Sequence, residues 1–284
     1  MGVVEFANSP WGENVPIHIS FALMWVFAIG GLAFLVAHAI WVKAFAKAAP
    51  HAEPVAPAIA ASIPEKVPRH SLVSRLFHWI MSAAMLTLLF TAFAPKMGYE
   101  FPWVTYHWIA GLVLSASIVF HIFHASFWLD FWAIWPDKID IEDGKRRWMR
   151  ATGKDAPAPR KFAKYPMENK AYHAIIVLAG LSVIATGLFM MKRVRTPIFT
   201  RNPYVFGDMT WGLMYVLHGL AGVGLIALIM AHIYFALRPE KLVITKSMIT
   251  GSLDRDHYLE HHDPERWVPE STKLANAQRS SGSL

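Results

Sequence analysis

His218 and His232 lie fourteen residues apart inside "LHGLAGVGLIALIMAHIYFAL", a run that is otherwise almost wholly apolar. At 100° per residue, that separation returns to within about 40° of the starting direction, so the two side chains share one helix face. Along the helix axis they stand about 21 Å apart. Ionisable groups inside such a segment are costly, and their usual warrant is function. Neutral imidazole is the commonest metal ligand of proteins. Two imidazoles at two depths of one helix suit axial ligands of two haems stacked across a membrane.

A second segment echoes the pattern. "HWIAGLVLSASIVFHIF" begins at His107 and "HGLAGVGLIALIMAHIY" begins at His218. Each has Ala-Gly one turn after its first histidine, a second histidine fourteen residues on, and then Ile and an aromatic ring. Gly111 and Gly222 thus lie one turn from His107 and His218, where a missing side chain leaves room for a flat macrocycle. His78 opens another apolar run, and His78, His107, His218 and His232 recur near helix ends at matched depths. They are the candidate ligands of haem iron. His121, His124 and His173 are read as interfacial histidines, propionate partners or proton carriers, with His121 the alternative ligand to His78. His18 and His38 are expected at the interface or in packing. His257, His261 and His262 could bind metal, but a solvated tail is the expectation for them.

The elements that position these residues follow from composition. Hydrophobic residues make up 55% and charged residues 17% of the 284, against about a quarter charged in soluble domains. Lys and Arg gather at the ends of apolar runs rather than along a groove, so the net charge of +7 reads as membrane topology and not as nucleic-acid binding. The chain has no cysteine, which excludes disulfides, Cys-ligated clusters and covalently attached haem.

Five segments reach the roughly 20 apolar residues that a spanning helix needs: 18–43, 73–94, 103–128, 171–191 and 211–237. The expected fold is an all-α membrane protein. A four-helix unit over 69–240 carries the paired histidines, and one extra helix, 18–43, is appended through an Ala/Pro-rich linker, 44–68, read as flexible and extended. Residues 1–17 read as a short periplasmic tail and 241–284 as a polar cytoplasmic tail, its last ten residues disordered. The linker and its flanks hold Lys43, Lys47, Lys66, Arg69 and Arg75, and the 138–164 loop is densely basic, which places both on the cytoplasmic side. The N-terminus then lies outside and the C-terminus inside, although Lys192, Arg193, Arg195 and Arg201 put positive charge on the outer 192–208 loop. By depth, His78 pairs with His232 on the inner side and His107 with His218 on the outer side.

"RHSLVSRLFHW", with Arg75 three residues before His78-Trp79, resembles the cytochrome b (gamma) subunit of respiratory formate dehydrogenases. "YHWIAG", "LHGLAGVGLIALIMAHIYFAL" and "KSMITGSLDRDHYLEHHDPERW" extend the likeness, in order, over about 69–268. Related subunits serve hydrogenases and thiosulfate reductases. The resemblance implies a multi-pass protein of a bacterial inner membrane holding two b-type haems, with the same pairing of His78, His232, His107 and His218. It implies as partners an iron–sulfur subunit with its catalytic subunit, membrane lipid and a quinone, and it leaves a higher oligomer open.

Electrons are expected to enter at the outer face, where the basic loop offers a docking surface, and to leave to quinone near the cytoplasmic surface. "KYPMENKAYH" stands where the family places its quinone site, with Pro166 where an Asn is common and Asn169 where a Gln is usual. Glu168, Asn169 and His173 are the candidates there. A helix cap and a first-turn acid are the plainer roles of Asn169 and Glu168. Arg69, Arg75 and Lys170 are candidates for haem propionates. The competing functions are a stand-alone di-haem quinone reductase and a non-redox anchor or transporter. The near absence of Asp and Glu from the five spans argues against a transporter.

Overall fold

Long uninterrupted apolar runs satisfy their backbone internally only as helices when no water is present. The computed structural model, which describes residues 2–45 and 55–269, forms them as such. Five helices are long and apolar enough to cross a membrane: α1 (Ala22–Phe45), α3 (Leu72–Phe93), α4 (Trp103–Trp128), α6 (Met167–Met190) and α7 (Asp208–Leu237). Shorter elements join them. These are β1 (Val4–Asn8), β2 (Asn14–Ile19), α2 (Pro57–Ser62), β3 (Lys66–Pro68), α5 (Lys138–Ala151), α8 (Leu242–Thr250), β4 (Ser252–Asp254) and α9 (Arg255–His261). The chain divides into two compact units.

The first unit comprises Met1–Ala46, Phe77–Phe123 and Ile175–Phe235. Its core is a small apolar layer in which Ala84, Met85, Leu114 and Leu225 are buried among Leu88, Ile118, Val183 and Leu228. Outward-facing residues such as Ile29, Phe90 and Leu178 stay exposed, as a lipid-facing surface requires. The segment read as a tail is instead an antiparallel hairpin, β1 on β2, with Val4 opposite Ile19. It packs on α7 so closely that a Cβ on Gly212 would stand 1.9 Å from the Pro16 carbonyl oxygen. Further along the same helix, Gly219 meets Ile19, and Gly31 of α1 comes within contact of Ala227. His38 closes the series with its Nδ1 3.1 Å from the Tyr234 hydroxyl. Small residues let two backbones approach in this way.

The second unit comprises Lys47–Leu76, His124–Ala174 and Ala236–Leu284. The linker and tail of the sequence reading build its core together. β3 pairs antiparallel with β4, and Ile63, Val67, Leu253, Tyr258 and Trp267 bury one apolar cluster. Alternating Pro and Ala concealed this, because the few apolar residues of the linker find partners nearly two hundred residues away. The last ten residues lie outside the described residues.

The unit also has a charged core. Asp137 caps α5 in a capping box with Asp140. Asp140 then takes Lys170 Nζ at 2.5 Å and Arg266 at 3.0 Å. Burial pushes the Asp140 carboxyl up, but hydrogen bonds from Lys170, its own helix start and Arg266 outweigh that and hold it below its usual value.

Candidate functional site

In the first unit the four central histidines form two pairs. The rings of His107 on α4 and His218 on α7 have centroids 6.2 Å apart. Those of His78 on α3 and His232 on α7 are 6.3 Å apart. An imidazole nitrogen binds a first-row metal ion at about 2.0–2.1 Å, so two rings clamping one ion from opposite sides hold their centroids about 6.3 Å apart. Both pairs fit a six-coordinate haem iron between them. Space for the ring is present too. An added Cβ at Gly222 would meet nothing within 4 Å, and one at Gly111 only a Leu88 methyl at 3.9 Å. Between the pairs lies Leu225, midway from His218 to His232, and Leu114, seven residues after His107; each is 2% exposed.

The His107–His218 pair is anchored from behind. His107 Nδ1 lies 2.8 Å from Thr91 Oγ1, and His218 Nδ1 lies 2.9 Å from Thr186 Oγ1. Each threonine hydroxyl donates its one proton to a carbonyl of its own helix, Thr91 to Thr87 and Thr186 to Ser182. It can therefore only accept from the imidazole. Both rings are fixed as Nδ1–H tautomers whose Nε2 lone pairs are available to a metal. Gly187 completes the seat, since a Cβ there would approach His218 Cε1 to 3.2 Å. These three residues escaped the sequence reading. The only signal for the two threonines is a hydroxyl placed four residues after another on an apolar helix, Thr87 to Thr91 and Ser182 to Thr186.

The other pair is set differently. His78 Nδ1 is buried with no hydrogen-bond partner, and its ring stands edge-on to Trp79. His121, which the internal repeat makes the counterpart of His232, lies flat on Phe77 with centroids 4.4 Å apart and planes 6° from parallel.

The remaining candidates fall in the second unit. His124 is buried and stacks on Trp128. His173 meets Trp135 edge-on at 5.6 Å, and His173 Nδ1 and Trp135 Nε1 are both buried without partners. The Glu168 carboxylate is exposed and lies 2.7 Å from Arg147. Asn169 is exposed in the first turn of α6. Lys170 is committed to Asp140 rather than left for a propionate. Arg75 donates to the Ile249 carbonyl in the last turn of α8, with its Nε buried and unpartnered.

Arg69 is 4% exposed and has no carboxylate among the described residues. It lies over the rings of Tyr165 and Trp267 and reaches the Nε2 atoms of His70 and His262. His262 is no solvated tail residue, being 1% exposed, and burial with Arg69 beside it pushes its pKa down to about 3. Among the described residues no three His, Asp or Glu gather to hold a metal ion.

A membrane bundle whose core holds two facing imidazole pairs, flanked by glycine clefts, is built as a carrier of haem. The chain belongs to the prokaryotic cytochrome b561 family, whose model matches residues 69–251, from before α3 to the end of α8. It is accordingly a multi-pass membrane b-type cytochrome of electron transfer. The hairpin and α1 precede the matched region. No curated protein matches the chain.

Proposed function

We propose that the protein is the membrane cytochrome b subunit of a respiratory oxidoreductase similar to formate dehydrogenase, embedded in a bacterial inner membrane with its N-terminus in the periplasm. In this reading it binds two b haems, one at His107–His218 and one at His78–His232, and carries electrons between an iron–sulfur partner and a membrane quinone. The observation that carries the proposal is the pair of facing imidazoles, present twice in one bundle at the spacing of bis-histidine ligation. A haem held by either pair of imidazoles would supply a one-electron couple there. The protein's part is to hold the imidazoles neutral and oriented, and to keep water out through the Leu114–Leu225 layer.

Two further features support the ends of this route. Lys192, Arg193, Arg195 and Arg201 have no carboxylate partner among the described residues, and Arg193 lies over Trp211 and Tyr215. That leaves a basic loop with charge to offer an acidic partner. His173 and Trp135 bring together, on and beside α6, a buried ring nitrogen without a partner and an unsatisfied indole donor. Buried donors without partners call for an acceptor, and a quinone carbonyl is one. His173 is then the residue to hand on a proton. The first test is the haem count of the purified protein by pyridine haemochrome. Two per chain is the expected result, and one or none removes the di-haem reading. Purification from its source with an iron–sulfur subunit is expected as well; isolation alone, still reducing quinone, would make it a stand-alone reductase.

A further inference from the structure

His107 and His218 each have a threonine hydroxyl behind Nδ1, and His78 has none. We propose that Thr91 and Thr186 are positioning residues that set the tautomer of His107 and His218 and lower the reduction potential of the haem held there. The inference rests on the ligand assignment proposed above.

Both threonines come from helices other than those bearing the ligands: Thr91 from α3 serves His107 of α4, and Thr186 from α6 serves His218 of α7. Thr91 is 1% and Thr186 9% exposed, so neither hydroxyl can exchange its imidazole for water. Each hydroxyl proton already goes to a helix carbonyl, Thr87 or Ser182. That leaves the oxygen more electron-rich and strictly an acceptor, because chained hydrogen bonds polarise one another. An accepted Nδ1–H makes the imidazole a stronger donor at Nε2. A stronger axial donor favours the ferric over the ferrous ion, so the potential falls. At His78 no such acceptor stands behind Nδ1, so that ligand lacks the same push.

The test is a potentiometric titration of the haem absorbance of the full-length, haem-loaded protein in nanodiscs. Thr91→Val and Thr186→Val are each expected to raise the midpoint of one of the two components. The expected shift is about 3- to 10-fold in the ferric/ferrous equilibrium, or about 30–60 mV for one electron. The other component stays in place. Thr91→Ser and Thr186→Ser retain the acceptor and are expected to keep the wild-type midpoint. A serine variant that shifts as far as its valine counterpart overturns the proposal, since packing and not the acceptor would then be acting. Should a valine variant lose its haem, retention of that haem at the wild-type potential in the serine variant supports the proposal, and loss in both overturns it.

His107→Ala separates the two levels of inference. If it keeps both haems, the ligand assignment fails and the proposal with it. If it loses one haem while the valine variants leave both midpoints unmoved, the assignment stands and the tuning role alone is overturned.

Discussion

The His107–His218 and His78–His232 pairs have the same spacing and share one helix, yet they are built by different rules. The first joins two copies of one motif, and each copy is backed by a threonine from a neighbouring helix. The second breaks that symmetry. The repeat offers His121 as the mate of His232 in depth, but α3 supplies His78 and His121 is laid against Phe77. The ligand spacing can thus be met by more than one helix. What distinguishes His107 and His218 from His78 is the atom behind each imidazole: a threonine oxygen for the first two and no partner for the third.

The strongest way to break the comparison is to remove ligands one at a time. His107→Ala and His78→Ala are each expected to reduce the haem content from two per chain to one, read by pyridine haemochrome. His121→Ala is expected to leave two. A His121→Ala protein with one haem and a His78→Ala protein with two would move the second site onto α4 and restore the symmetry. Next in size is Gly212→Ala. Its new Cβ would fall 1.9 Å from the Pro16 carbonyl, a backbone atom fixed in the hairpin. Displacement of β1 and β2 from α7 is expected, seen as protease cleavage near residues 8–14 that the native protein resists, with the His78–His232 haem retained.

A finer probe is Gly187→Ala. The added methyl presses on His218 Cε1 from 3.2 Å, and disturbing the surroundings of a ligand costs about 10–100-fold in metal affinity. Loss of the His107–His218 haem on dilution is expected, with the other haem unaffected. Gly180→Ala, on the same helix with nothing within 4 Å of the new methyl, is the control. It removes a helix glycine that costs about 0.5–1 kcal/mol, so thermal stability is expected to rise slightly with both haems in place.

Much of this was legible in the sequence, and what was not has a physical reason. Apolar runs of bilayer length leave the chain little choice, so the five spans could be read directly from residues such as those of 211–237. The spacing of His218 and His232 fixed their face and depth through helix geometry alone. Thr91 and Thr186 were invisible because a threonine in a membrane helix most often bonds its own backbone. Only the approach of a second helix turns its remaining lone pairs toward an imidazole. The second unit was misread for a related reason. Val67 lies in a Pro-rich stretch and Leu253, Tyr258 and Trp267 in a polar one nearly two hundred residues on, with four apolar spans between them, and no local period announces a core assembled from such distant pieces. Glu168 and Lys170 form ion pairs with Arg147 and Asp140 that sequence order does not suggest.

His262 extends the comparison outside the membrane and gives the smallest expected effect. Its Nδ1 donates to the Ala163 carbonyl at 2.7 Å, as His107 and His218 donate to threonines, but its Nε2 lone pair is given to the Arg69 guanidinium at 3.4 Å. The second unit thus needs this ring neutral, and burial with the neighbouring Arg69 pushes its pKa down to about 3. In the unfolded chain the ring takes up its proton near pH 6.5. Between those values the unfolded state binds more protons than the folded one, so stability rises with pH across the window and is lost as pH falls. The stabilisation is fully present above about pH 6.5 and declines by at most about 1.4 kcal/mol per pH unit below it. Hydrogen exchange of residues 252–267 is expected to quicken steadily from pH 6.5 to 4 after correction for intrinsic rates. Replacing His262 with Gln, which keeps an acceptor for Arg69 but cannot charge, is expected to flatten that slope. An unchanged slope in the variant would remove His262 as the source of the acid sensitivity, and the Asp140–Lys170–Arg266 cluster could not replace it there, because Asp140, held below its usual value, takes up its proton only at lower pH.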